Sequence, residues 1–297
     1  MTDFVIEISG LRKSFRDQPA LRGFDLKVPA GSIFGFLGRN GAGKTTTIKL
    51  LVGMLKPDGG SARVFGLSAS DRAASLVIRR RTGLVTEEKE LYPYMTVDQI
   101  IRFSRPFFPG WRSDLEQRYR NLFELPPNRK IAELSKGMRS KLMLLLAIAR
   151  APELLILDEP SDGLDPAVVE DVLRELVALS ASEGTTIFFS SHQLAEVEQI
   201  ADHVSIIDHG KAVIGDSLDD LKARYRRLHV VFENEPRAPV QWAEGAEHVH
   251  QNGRAVSILA SRNVEQLVAQ ARSIPGASVE QFPVSLKEIF LEHVRNN

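Results

Sequence analysis

The chain contains no cysteine. That absence excludes disulfides, thiolate metal sites and cysteine nucleophiles together, and it fits a reducing compartment. Excess charge is lacking as well. Lys plus Arg and Asp plus Glu each number 38, which removes any bulk electrostatic case for nucleic acid or anionic lipid as a partner. Long apolar runs are also missing. The most apolar windows, Leu142 to Ala149 and Leu154 to Leu157, are too short to cross a bilayer and are separated by Arg150 and Glu153, so any membrane role is expected to come through a partner. The opening MTDFVIEISG lacks the basic region and apolar segment of a secretory signal. What the chain does have is 297 residues with 43% hydrophobic content, enough for one large domain or two modest ones.

The most informative stretch is FGFLGRNGAGKTTTIK, Phe34 to Lys49. A short apolar run ends in a glycine-rich turn in which Gly38 is followed, after four intervening residues, by Gly43, Lys44 and Thr45. This is the strand, phosphate loop and helix of a P-loop, where side chains would keep the backbone N–H groups from a polyphosphate. The helix starting near Lys44 adds the positive end of its dipole and its unpaired N–H groups. Lys44 supplies a point charge for the outer phosphates, and Thr45 a hydroxyl for a magnesium ion.

Around this stretch the pattern predicts an α/β chain. Phe4 to Ile8 alternates as a strand, Leu11 to Phe15 continues it into a polar turn, and Leu21 to Val28 alternates again, so two β-rich segments precede the P-loop. Phe15 ends the first of them, where a ring can stack on a purine, although an aromatic at a strand end is more often part of a core. The basic run Arg79 to Arg81 reads as a solvated helix end before a strand at Thr82 to Thr86. From Val97 to about Arg150 the spacing is helical, interrupted by PFFPGW at Pro106 to Trp111, whose aromatics are expected to pack within this insertion rather than dock a partner. Leu154 to Leu157 is a fully apolar strand that delivers Asp158 and Glu159 at its carboxyl end, where open α/β sheets bind their ligands. Downstream of a P-loop, such a pair suits a magnesium–nucleotide site: the first holds the metal's water shell and the second orients or deprotonates an attacking water. The strand Thr185 to Ser190 ends at His192, where a γ-phosphate could be sensed.

Beyond about Tyr225 the texture changes to strands at Leu228 to Glu233, Arg254 to Leu259 and Ala277 to Phe282, with helices at Asn263 to Ser273 and Ser285 to Val294. This reads as a small α+β appendage. His248 and His250 share one face if their stretch is a strand. Without a nearby third ligand of suitable type on that face, the expectation is against a metal site there.

Over about residues 1 to 225 the sequence resembles the nucleotide-binding subunit of an ABC transporter. The P-loop is GRNGAGKTT, Gly38 to Thr46, and LSKGM, Leu134 to Met138, looks like the signature motif. LLILDEP, Leu154 to Pro160, is similar to Walker B, DGLD, Asp162 to Asp165, matches the D-loop, and His192 falls where the switch histidine belongs. The ending SLKEIFLEHV and the variant signature look like the exporter subgroup whose ATPase and membrane chain are separate polypeptides.

The resemblance implies an ABC-type core at 1–225, β-rich at its N-terminus and with a helical subdomain at about 88–150, followed by an accessory α+β domain at 226–297. It implies ATP and Mg²⁺ as ligands. Phe15, Gly38, Asn40, Gly41, Ala42, Gly43, Lys44, Thr45 and Thr46 would bind nucleotide from one side, and Ser135 and Gly137 from the opposite subunit. Thr45, Asp158 and Glu87 would serve the metal, and Glu159, His192 and Lys44 the hydrolysis. It further implies a homodimer or a heterodimer with another ABC ATPase, an integral membrane permease as partner, a place on the cytoplasmic face of the cell membrane held through that permease, and no nucleic acid.

Four positions depart from the family pattern. Glu87 stands for a glutamine, Lys136 and Met138 for a glycine and a glutamine in the signature, and Asp162 for a serine in the D-loop. None of these removes the P-loop lysine, the metal carboxylate or the base, so hydrolysis is expected. A soluble ABC-type ATPase acting on ribosomes or DNA is the alternative class. Its translation members carry two P-loops in one chain and its repair members long coiled coils, whereas this chain has one P-loop and no sustained heptads.

Overall fold

The alternating N-terminal segments form two long strands, β1 (Phe4–Phe15) and β2 (Gln18–Pro29), paired antiparallel from Ile6↔Val28 to Phe15↔Gln18. The first β-rich segment, Phe4 to Phe15, is one continuous strand. Gly10 takes a left-handed φ of 55° and donates its N–H to Asp25 Oδ1 at 2.8 Å, so an irregularity bends the strand without ending it. The computed structural model describes residues 4–86, 91–236 and 240–295, the Arg295 side chain excepted. By its contacts the chain divides into two compact units, Met1–Gly215 and Asp216–Asn297.

In the first unit the chain continues through β3 (Ile33–Gly38), α1 (Lys44–Leu51), β4 (Gly59–Val64), β5 (Leu67–Ser68), α2 (Arg72–Arg81) and β6 (Thr82–Val85). The helical insertion follows as α3 (Val97–Ser104), α4 (Ser113–Leu122) and α5 (Lys136–Ile148). Then come β7 (Leu154–Asp158), α6 (Pro166–Glu183), β8 (Thr186–Ser191), α7 (Leu194–Ile200), β9 (His203–Asp208) and β10 (Lys211–Ser217). The strands sort by pattern. Half-buried, alternating β1, β2 and β4 form an antiparallel sheet in the order β2-β1-β4-β5. The wholly buried strands β3, β7 and β8 lie inside a six-stranded sheet ordered β10-β9-β3-β8-β7-β6, whose inner pairs are parallel. Phe24, Phe34, Phe36 and Phe188 join the two sheets, with Phe36 and Phe188 ring centres 5.3 Å apart. The parallel ladder pairs Leu37 with Ser191 and Asp158 with Ser190, so β3, β7 and β8 end level with one another.

Two expectations for this unit are corrected. Of the run Arg79 to Arg81, only Arg80 is fully exposed. Arg79 donates to the Val52 carbonyl at 3.0 Å, and Arg81 holds both oxygens of Glu153 at 2.6 Å, so the run clamps α2 to its neighbours. The insertion's aromatics are also divided. Trp111 donates to Glu116 at 2.8 Å and Phe108 lies under the Arg150 guanidinium at 3.7 Å, but Phe107 faces outward beside Phe103, with Tyr92 and Tyr94 continuing the exposed patch. Among the described residues no helix is long and apolar enough to cross a membrane.

The second unit carries α8 (Leu218–Arg224), β11 (Arg226–Phe232), β12 (Ala246–Asn252), β13 (Ala255–Ala260), α9 (Val264–Ser273), β14 (Ala277–Pro283) and α10 (Leu286–Arg295). Its antiparallel sheet runs β12-β13-β11-β14, and a core of Leu228, Val230, Val256, Ile258 and Leu267 lies beneath α9. β12 has one large apolar residue, Val249, which is exposed, so nothing in its composition announces a strand. Its pairing with β13 makes it one.

Phe188 is wholly buried between the two sheets. Replacing it by Ala is expected to cost about 3–5 kcal/mol of stability, read as a lowered urea midpoint.

Candidate nucleotide site

The site begins where β3 ends. A Cβ on Gly38 would sit 2.5 Å from the Ile207 carbonyl oxygen, so only glycine lets β3 run this close to β9 before turning. Gly43, at φ 115°, precedes α1 in a left-handed conformation, and no side chain caps the helix. The first N–H groups of α1 are therefore left to an anion. Gly41, at φ 80°, has nothing within 4 Å of the place a Cβ would occupy and lines the cavity, leaving an open cradle of backbone.

Lys44 and the β7 carboxylates converge here. The Lys44 ammonium donates to the Gly38 carbonyl at 2.8 Å and lies 3.1 Å from Glu159 Oε1. Glu159 adopts φ 51°, a left-handed conformation costing a non-glycine residue about 1–3 kcal/mol. Its N–H is held by the Ser190 carbonyl at 3.2 Å and the Ser190 hydroxyl oxygen at 3.1 Å, and its Oε2 accepts from the His192 N–H at 3.2 Å and lies 2.7 Å from His192 Nδ1. The Ser190 hydroxyl also donates to Asp158 Oδ1 at 2.6 Å, whereas Asp158 Oδ2 is buried without a hydrogen-bond partner. A buried carboxylate oxygen left unsatisfied costs about 1–3 kcal/mol, which a hard cation or its bound water would relieve. Asp158, with this oxygen unsatisfied, and the Thr45 hydroxyl on the cavity wall are oxygen donors of the kind Mg²⁺ takes.

One cavity of about 580 Å³ gathers Asn40, Gly41, Gly43, Lys44, Thr45, Thr46, Glu159 and His192, together with Ala20, Arg39 and Asp162. Gly38, Ala42 and Asp158 are buried behind its wall. Three expected nucleotide contacts lie elsewhere. Phe15 is 48% exposed at the tip of β1 and does not line the cavity. Ser135 caps α5, its Oγ accepting from the Met138 N–H at 3.2 Å, and Gly137 lies in the first turn of that helix; neither faces the P-loop cavity. Glu87 lies outside the described residues. Two of the departures from the family pattern meet, because Lys136 Nζ stands 2.7 Å from Asp162 Oδ2. A larger cavity of about 770 Å³ opens at the amino ends of β7 and β8, but its charged pair Arg81 and Glu153 is mutually neutralised and partly exposed. Ligands of open α/β sheets bind at the opposite ends, where the smaller cavity lies.

Sequence reasoning missed Glu196. It is buried behind the cavity, with Oε2 accepting from the Ser161 hydroxyl at 2.8 Å and the Ser191 hydroxyl at 3.3 Å. It ties the segment after Glu159 to the residue before His192. Burial pushes its carboxyl above the ordinary glutamate range, against the lowering effect of those two hydroxyls. Only its place four residues after His192 could have drawn notice.

This sheet and this loop define a P-loop nucleotide-binding protein. Residues 21–162 match the family model described as ABC transporter. The chain is 33% identical over 256 residues to the bacitracin transport ATP-binding protein BcrA of Bacillus licheniformis, covering 84% of this chain and 83% of that protein. It is 36% identical over 226 residues to the daunorubicin/doxorubicin resistance ATP-binding protein DrrA of Streptomyces peucetius, covering 73% and 67%. A solved ATP-binding subunit of an ABC transporter superimposes with a TM-score of 0.67 at 29% identity, covering 74% of this chain and 92% of that one. The chain belongs to the ATP-binding proteins of ABC transporters.

The raised Glu196 carboxyl fixes the sign of a pH effect. The folded chain keeps this proton where the unfolded chain has released it, so the stability it contributes is full below the ordinary glutamate range and is lost as pH rises through the folded value. Glu196→Gln escapes that loss. Its urea midpoint is therefore expected to gain on the unsubstituted chain as pH rises above the ordinary glutamate range, about 4.3.

Proposed function

We propose that this chain hydrolyses ATP to ADP and phosphate and so drives substrate movement, in the export direction, through a separate membrane permease. The observation that carries the reading is the buried pair Lys44 and Glu159, with the exposed His192 against Glu159, facing an open P-loop cradle. Lys44, paired with Glu159 while no phosphate is present, turns to the β and γ phosphates when ATP enters the loop. Glu159 is thereby released to take a proton from a water whose oxygen attacks the γ-phosphorus, as the bond to the β-phosphate oxygen breaks. His192 orients that carboxylate through Nδ1 and its backbone N–H and meets the charge that develops on the γ-phosphate. Thr45 and Asp158, with Glu87, would hold Mg²⁺, which when bound neutralises phosphate charge.

Ser135 and Gly137 present a second set of donors on a surface apart from the cradle, so a head-to-tail pair, identical or with a related ATPase, completes each site. Phe15 takes the adenine. ATP between the two copies closes the pair, and hydrolysis reopens it. The exposed rings of Tyr92, Tyr94, Phe103 and Phe107 form the docking face for the permease. The resistance and transport functions in the names of DrrA and BcrA favour export. In this reading residues 1–225 are the ATPase, 226–297 are accessory, and the chain lies on the cytoplasmic face of the membrane through its permease. Zero formal net charge weighs against a nucleic-acid partner.

Glu159→Gln tests the base: turnover is expected to fall about a hundredfold or more while ATP affinity and an ATP-bound dimer remain, and undiminished phosphate release would refute the assignment. Tyr94→Asp with Phe107→Asp tests the docking face. That variant should lose copurification with a multi-helix membrane protein from detergent extracts and keep the ATPase rate of the isolated chain.

A further inference from the structure

In the second unit, β12 and α10 bring together three groups that no motif joins. We infer that Glu247, His248 and His293 form a binding site for a first-row divalent cation of the Zn²⁺ class. One donor atom from each lies within 4.8 Å of the other two. Histidine-histidine-glutamate is an established zinc ligand set, and it leaves the fourth position of a tetrahedron open. Zn–N and Zn–O bonds of about 2.0–2.2 Å put neighbouring tetrahedral donors about 3.4 Å apart. His293 Nε2 and Glu247 Oε2 already stand 3.1 Å apart.

The local structure explains how consecutive residues of a strand serve one site. In a regular strand Glu247 and His248 would point to opposite faces. The register between β12 and β13 passes from Ala246↔Ala260 to His248↔Leu259, so β12 carries an extra residue there, and such a bulge re-aims side chains. α10 supplies the third group. His293 Nδ1 lies 2.9 Å from the Ile289 carbonyl one turn earlier. A carbonyl only accepts, so Nδ1 carries a proton, as outer hydrogen bonds impose on metal-binding imidazoles, and Nε2, which faces Glu247, is the nitrogen left to a cation. Ser261 donates its hydroxyl to Glu247 Oε1, and the Tyr225 hydroxyl stands 3.4 Å from His293 Nε2 beside the open position.

His250, paired with His248 by sequence spacing, is not part of the set, because its Nε2 lies 3.1 Å from Glu292 Oε2. The expectation against a metal on this strand rested on the want of a third ligand, and tertiary structure supplies two, Glu247 through the bulge and His293 from α10. A bound cation would cross-link β12 to α10 and stabilise the fold through its differential affinity for the folded chain.

The test is titration of the tag-free, chelator-treated full chain with Zn²⁺ and Co²⁺ in the absence of nucleotide. One equivalent is expected to bind, with the visible absorption of tetrahedral Co²⁺ and a raised Tm. Loss of an outer-shell group typically weakens a metal about 10–100-fold, so Tyr225→Phe should fall in that range and His248→Gln should exceed it. His248 is only partly buried, so this variant is expected to fold, as far-UV circular dichroism would verify. His250→Gln should bind as the unsubstituted chain does. Absence of binding, binding that survives His248→Gln, or binding lost in His250→Gln would each overturn the assignment.

Discussion

The first unit depends on one buried ion pair. Lys44 and Glu159 are 6% and 7% exposed and stand 3.1 Å apart, so each is the other's counter-ion in a place that water hardly reaches. Each is also held by backbone, Lys44 by the Gly38 carbonyl and Glu159 through its strained main chain fixed to Ser190. The arrangement is therefore geometrically determined but chemically unsaturated. A polyphosphate entering the cradle offers Lys44 a more highly charged partner and leaves a buried carboxylate facing the reacting centre. Ligand entry and activation of the base are then one event in the proposed mechanism.

The parallel sheet makes that pair possible. β3, β7 and β8 end at the same level, so one edge carries the glycine turn, the two carboxylates and the serine pair that precedes His192. Glu196 stands behind this edge and joins Ser161 to Ser191, so that movement after Glu159 is felt beside His192. The Lys136 and Asp162 pair does something similar in front. An exposed salt bridge of this kind is worth about 0–1 kcal/mol, so its effect is one of position: two residues foreign to the family pattern restrain the start of α5 against the segment after Walker B.

The second unit follows a different logic. Its sheet has one face on an apolar core beneath α9, and polar and charged groups gather where β12 meets α10. Arg227, Glu292, His250, Glu247 and His293 are held there by polar contacts rather than by apolar area. Such a cluster is balanced for the folded chain alone, and the same groups offer lone pairs to a cation.

Read by itself, the amino-acid sequence determined the P-loop, the carboxylates at the end of β7, the alternation of strand and helix and the family. Each of these is encoded within a few neighbouring residues, so spacing is enough to expose it. Ala20 and Arg39 in the cavity wall, Glu196 behind it, the clamping of Arg79 and Arg81, the outward rings of the insertion and the meeting of Glu247 with His293 were settled only by tertiary structure. They depend on segments tens of residues apart being brought within hydrogen-bonding distance, and on a bulge that sequence periodicity does not record. Local chemistry is written in order along a chain, whereas proximity is a property of the packed whole.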